Sequence, residues 1–143
     1  FHSLVASLDE IFEPRGYRIR CRRWEDFSAF CTGSRTQDDY NRIVRASDIC
    51  ICMFHRKAGE YTIEEFNQAL DEYVKNQSHP KTFVYIRALI EGEMEDEALK
   101  RFKEDLFDRV GHYWCNYATD DAMSCILSCS WSGSFHRYRA TLP

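Results

Sequence analysis

The chain has 143 residues and a mass of 17.0 kDa, with 44% hydrophobic and 15% aromatic residues. That suits one compact domain and excludes disorder, collagen and low complexity as global descriptions. Nineteen Lys and Arg against 23 Asp and Glu leave a net charge of −4, which gives no electrostatic reason to expect general nucleic-acid binding.

Residues 1–13 carry Leu4, Val5, Leu8, Ile11 and Phe12 at helical spacing, and Pro14-Arg15-Gly16 stops that helix. Tyr17-Arg18-Ile19-Arg20-Cys21 alternates apolar and charged residues and reads as a short strand. Arg15, Arg18, Arg20, Arg22 and Arg23 form a local basic patch. Its spacing fits the solvated face of that strand better than a phosphate-binding stripe.

Residues 24–37 look irregular, anchored by Trp24, Phe27 and Phe30, and a helix is predicted from Asp38 to Ala46 through Tyr40, Ile43 and Val44. Residues 48–54 are the clearest strand, apolar on both faces after Asp48, as a central parallel strand is. A helix over Thr62 to Lys75 follows with the stripe Ile63, Phe66, Leu70, Tyr73 and Val74. Ser78-His79-Pro80 ends it, and Thr82 to Ile86 is the next buried strand.

The acidic stretch Glu91 to Glu97 leads into a helix carrying Leu99, Phe102, Leu106, Phe107 and Val110, which Gly111 ends. His112 to Tyr117 reads as a last strand and Asp120 to Ser128 as a last helix. Residues 129–143 read as an irregular tail. Strands alternating with helices predict an α/β, flavodoxin-like three-layer fold over residues 1–128, with a central, mainly parallel sheet flanked by helices. Such folds open with a strand and this chain opens with a helix, so its first strand is apparently missing and the domain N-terminally incomplete. Position 1 is Phe, consistent with a fragment or a processed product.

The longest apolar run, Ile49 to Phe54, is far short of the roughly 20 residues that cross a bilayer. Phe1-His2-Ser3 has neither the basic start nor the apolar middle of a signal peptide. A cytoplasmic protein with no membrane partner is expected. Seven cysteines, an odd number, several inside apolar runs, fit reduced thiols better than a disulfide framework. Cys125 and Cys129 with Cys115 or His136 would be the zinc candidate, but no paired Cys-x-x-Cys knuckles support it. Buried free cysteine is the plainer reading, and no metal is expected.

In open α/β sheets ligands sit beyond the carboxyl ends of the strands, which directs attention to His55 to Phe66, the loop and helix start after the clearest strand. Thr62-x-x-Glu65 has the spacing of a capping box, in which Thr62 takes a backbone N–H and Glu65 reaches back. A carboxylate in a first helical turn is also held ionised by the dipole, which suits a group that stabilises positive charge.

The segments Trp24-Glu25-Asp26, Arg35-x-Gln37-Asp38-Asp39-Tyr40-Asn41, Ser47 to His55 and Gly59-Glu60-Tyr61-Thr62-x-Glu64-Glu65-Phe66 together resemble a bacterial branch of the TIR (Toll/interleukin-1 receptor) domains. The wider superfamily includes nucleoside 2-deoxyribosyltransferases, whose Thr-x-x-Glu-x-x-x-Ala pattern is similar to Thr62, Glu65 and Ala69. The resemblance runs from residue 1 to about 120 and implies a glutamate that attacks or stabilises C1′ of a ribose. Carried over, that glutamate is Glu65, with Glu64 its neighbour. Ala69, one turn on, would leave room for a substrate.

The resemblance implies an NAD+ glycohydrolase or ADP-ribose cyclase domain of a bacterial anti-phage defence or signalling protein, homo-oligomeric and joined to further domains. NAD+ is then substrate and no cofactor is required, in keeping with the absence of a Gly-rich phosphate loop. A lone carboxylate suffices chemically, because the cleavage is oxocarbenium-like and cationic nicotinamide departs neutral without a general acid. Trp24, Phe54 and Tyr61 are the candidate aromatic shelf for the substrate, against ordinary packing as the alternative.

His55 reads as a surface histidine and Asp48 as a local cap or pair. Arg35 and Asn41 either touch phosphate or ribose hydroxyls or fix the helix start. Ser128, Ser130 and His136 form no nucleophile arrangement, since the tail reads Trp131-Ser132-Gly133-Ser134-Phe135 and no Gly-x-Ser-x-Gly occurs. Two other functions stand beside the glycohydrolase: a non-catalytic TIR-like interaction module with Glu65 only a cap, and a nucleoside 2-deoxyribosyltransferase-like enzyme.

Overall fold

The computed structural model describes residues 2–23 and 36–127. They fall into two compact units, one within Phe1–Ser28 and Thr119–Pro143 and the other within Ala29–Ala118. Among the described residues, no helix is long and apolar enough to cross a membrane.

In the first unit, helix α1 (His2–Phe12) turns into a 3-10 turn at Glu13–Arg15. Gly16 stops it with φ 83°, a left-handed conformation that costs glycine nothing. Leu8 and Phe12 are buried, four residues apart, whereas Ile11 of the predicted stripe is half exposed. Residues 17–23 correct the sequence reading. Their side chains alternate in exposure over 17–20 as in a strand, yet among the described residues no ladder pairs them. Asp9 takes the Ile19 N–H at 2.6 Å, and Arg18 pairs with Asp9 and Glu13, so side chains of the preceding helix region serve this extended segment. A last helix, α5, covers residues 120–127, with Met123 and Leu127 buried.

The second unit is an α/β fold of flavodoxin-like character. Its elements are α2 (Thr36–Arg45), β1 (Ile49–Phe54), α3 (Glu60–Asn76), β2 (Lys81–Arg87), α4 (Glu97–Asp105) with a π-helical extension (Leu106–Val110), and β3 (Cys115–Tyr117). The strands form a parallel sheet in the order β1-β2-β3. Ile49 lies opposite Lys81 and Phe54 opposite Ile86, and Tyr85 pairs with Cys115. The last strand is shorter than predicted: His112 instead donates from Nε2 to the Thr82 carbonyl at 3.1 Å.

Alternation across the pleat builds the core. Cys52 and Phe54 of β1 and Val84 and Ile86 of β2 share one face. They meet Phe66 of α3 and Leu99, Phe102 and Leu106 of α4 and its extension. Asp96 caps α4 by accepting the Leu99 N–H at 2.8 Å, and Gly111 ends the helical stretch at φ 65°. Although β1 has the doubly apolar sequence of a central strand, it lies at one end of the described sheet order.

Candidate active site

Helix α3 begins two residues earlier than its sequence suggests. Gly59, in an extended conformation, is the N-cap residue, and its carbonyl accepts the Ile63 N–H at 3.0 Å. Gly59 has no side chain with which to cap this end. The capping box of Thr62 and Glu65 is therefore not formed: Thr62 lies inside the first turn and Glu65 in the second. Released from that duty, Glu65 turns toward α2.

There it meets a polar ladder between two helices. Gln37 donates from Nε2 to Glu65 Oε1 at 3.2 Å and to Asn41 Oδ1 at 3.3 Å. Asn41 in turn donates from Nδ2 to Glu64 Oε1 at 2.6 Å, and Arg45 donates to Gln68 Oε1 at 2.5 Å. Positions 37, 41 and 45 stack on one face of α2 because they are four apart, and 64, 65 and 68 answer from α3. Gln37 and Asn41 are buried, 6% and 4% exposed, so their amides act where hydrogen bonds are least diluted by water.

The two carboxylates have different surroundings. Partial burial raises the pKa of Glu65 above the ordinary glutamate value, the Gln37 hydrogen bond works against that rise, and the charge of Glu64 adds to it. Glu65 also lies near the strand, since its charge contributes to raising Cys52. That thiol is pushed well up, first by its hydrogen bond to Cys50 and then by burial, with the two sulfurs 3.9 Å apart. Cys21, Cys50, Cys52, Cys115 and Cys125 are all free thiols.

The expected aromatic shelf is dispersed. Phe54 is buried, its ring 4.7 Å from that of Phe102 in a tilted contact, and so belongs to the core. Tyr61 is 64% exposed at the start of α3, free to meet a ligand but not enclosed. Trp24 lies outside the described residues, as do Arg35, Ser128, Ser130 and His136. Ala69, expected to give a substrate room, is fully buried, and its small side chain serves packing.

Beyond the carboxyl end of β1, His55 Nε2 lies 2.9 Å from Glu93 Oε2, which also accepts the Ile90 N–H at 3.1 Å. The Asp96 N–H donates to the Arg56 carbonyl at 2.8 Å. The loop after β1 and the loop after β2 are thus tied together, and the second displays Leu89, Ile90 and Met94 to solvent. The ladder and the tie both escaped the sequence reading of single residues. Complementary polar positions on consecutive helices, Gln37-Asn41-Arg45 and Glu64-Glu65-Gln68, were the available signal for the first.

No family model matches the chain, and neither a curated protein nor a solved structure matches it.

Proposed function

We propose that this chain is an NAD+ glycohydrolase of TIR-like type, with Glu65 the carboxylate that acts at C1′ of the nicotinamide ribose. The observation that carries the reading is the state of Glu65. One oxygen is fixed by a buried amide, the side chain is only partly covered, and it follows a parallel strand whose carboxyl end is the usual ligand side of such folds.

Hydrolysis breaks the C1′–N bond, and its electron pair passes to the pyridinium ring and cancels the ring's charge. Positive charge develops on the ribose, where a partly desolvated carboxylate stabilises it more strongly than one in bulk water. Water oxygen then bonds to C1′, and its proton leaves to Glu65 or solvent. The products are ADP-ribose and nicotinamide; closure by a nucleophile of the same molecule in place of water gives the cyclised product. Tyr61 is the accessible partner for the nicotinamide ring, and Trp24 remains in the proposed shelf by resemblance. In this reading the protein works in the cytoplasm as a homo-oligomer within a longer defence protein.

The ladder itself favours a second reading. Three amide or guanidinium contacts between α2 and α3 are what a purely structural helix pair would use, and Glu65 would then belong to a non-catalytic interaction module. Substrate discrimination separates the possibilities. The glycohydrolase releases nicotinamide from NAD+, a deoxyribosyltransferase-like enzyme exchanges bases on deoxynucleosides and ignores NAD+, and the interaction module does neither.

A further inference from the structure

The geometry points to Gln37 as the positioning residue of Glu65: its amide nitrogen, shared between Asn41 Oδ1 and Glu65 Oε1, fixes one carboxylate oxygen and directs the other toward the ligand. This rests on the reading of Glu65 as the reacting carboxylate, and it extends that reading to a residue on a different helix.

The direction of the amide is set by its neighbours. Gln37 Nε2 faces two oxygens, one on Asn41 and one on Glu65, and a primary amide has two N–H groups for them. With Oδ1 taken in this way, Asn41 has its Nδ2 turned to Glu64. The chain of donors therefore starts at Gln37 and ends on two carboxylates, one at each end. No member needs to change protonation for the pattern to hold. Neutral amides pass no proton between the two acids, and the charge of Glu64 reaches Glu65 through space.

Burial gives the arrangement its force. Gln37 is 6% exposed, and its amide is held by Asn41 Oδ1 as well as by the carboxylate it serves. Asn41 supports it from one turn further along α2, at 4% exposure. Glu64 receives the shorter bond, 2.6 Å against 3.2 Å, and reads as the anchored member of the pair. Glu65 receives the longer one, and its Oε2 has no hydrogen-bond partner among the described residues. Among the described residues, Glu65 meets Glu64 on its own helix, Gln37 on α2 and, through its charge, the Cys52 thiol on β1. Arg45, the cation of the ladder, is engaged by Gln68 a turn away.

The test is the titration of the Glu65 side-chain carboxyl by carbon NMR, followed in the unaltered chain and in Gln37→Met, which keeps the volume and removes the donor. The midpoint of Glu65 should rise in the variant, because the bond removed is one that opposes the rise caused by burial. Turnover of NAD+ should fall about a hundredfold, as expected when a reacting group loses its alignment, with KM little changed and the acid limb of kcat moved upward in pH. If Gln37→Met does not fold, Gln37→Asn keeps a buried amide but withdraws it by one methylene, and it should raise the same midpoint.

An unchanged Glu65 midpoint in a folded variant overturns the assignment, whatever the activity. A raised midpoint with no NAD+ cleavage by any form of the protein leaves the Gln37–Glu65 coupling standing and removes the glycohydrolase reading. A fall in kcat with both the Glu65 midpoint and the pH profile unmoved also overturns it, since that is how a merely structural residue behaves.

Discussion

Asn41 Nδ2 lies 2.6 Å from Glu64 Oε1, and so the two adjacent glutamates of α3 are held by two different amides of α2. Adjacent residues on a helix point about 100° apart, and both side chains still reach the same neighbouring helix because Gln37 and Asn41 present themselves one turn apart. Two like charges at a partly buried helix pair are unfavourable unless donors meet them. The amides are those donors, and this explains why polar residues occupy buried positions of α2.

Removing Asn41 should therefore cost stability before it costs anything else. Asn41→Ala removes the Asn41 donor from Glu64 and one of the two acceptors of Gln37, and a loss of about 1–3 kcal/mol is expected. Urea denaturation followed by circular dichroism measures it. A change within a few tenths of a kcal/mol would mean that the ladder is solvated and not structural.

Glu65 behaves in the opposite sense. Its folded pKa is raised above the ordinary value, so the folded chain binds more protons than the unfolded one between those two values. Stability is then greatest below the unfolded pKa of this group and declines as pH rises through the folded one. Glu65→Gln abolishes that decline. It should leave stability equal or higher at neutral pH, and the advantage should vanish in acid where Glu65 itself is protonated. Thermal melts of both proteins from pH 4 to 8 check the sign.

The aromatic candidates separate in the same way. Phe54→Ala empties a core position against Phe102 and should cost about 3–5 kcal/mol. Tyr61→Ala touches an exposed side chain and should stay within about 0.5 kcal/mol, so any rise in KM for NAD+ reports a contact with substrate. Denaturation and steady-state kinetics on the pair distinguish packing from binding.

The two helix starts offer a further contrast. Asp96 accepts the Leu99 N–H and Thr62 caps nothing, so Asp96→Ala should cost about 1 kcal/mol and Thr62→Ala less than about 0.5 kcal/mol. Denaturant midpoints of the two variants decide it. Equal losses would restore Thr62 as a cap.

That contrast also shows what could be read from the residues. The strands around 49–54 and 81–87 were legible because unbroken apolar runs bounded by turn residues have few other uses in a short α/β chain. The helix ends of α1 and α4 were legible from Pro14, Gly16 and Gly111, whose backbone demands are local. The strand over 17–21 was not, because alternation describes a backbone that is extended and does not say whether a neighbour pairs with it. Thr62 and Glu65 have capping-box spacing, but spacing cannot tell that Gly59 is the cap and that the helix starts two residues sooner. On α2 the apolar positions Tyr40, Ile43 and Val44 are only half buried, while Gln37 and Asn41 are the buried ones. A periodicity of apolar residues misses a helix face that is buried by hydrogen bonding.

The most direct measurement is nicotinamide release from NAD+, by chromatography at high protein concentration, for the unaltered chain, Glu65→Gln and Glu64→Gln. Release by the unaltered chain and by Glu64→Gln, and none by a folded Glu65→Gln, is the predicted result. Release that persists in Glu65→Gln, or its absence from the folded and assembled unaltered chain, would contradict the account.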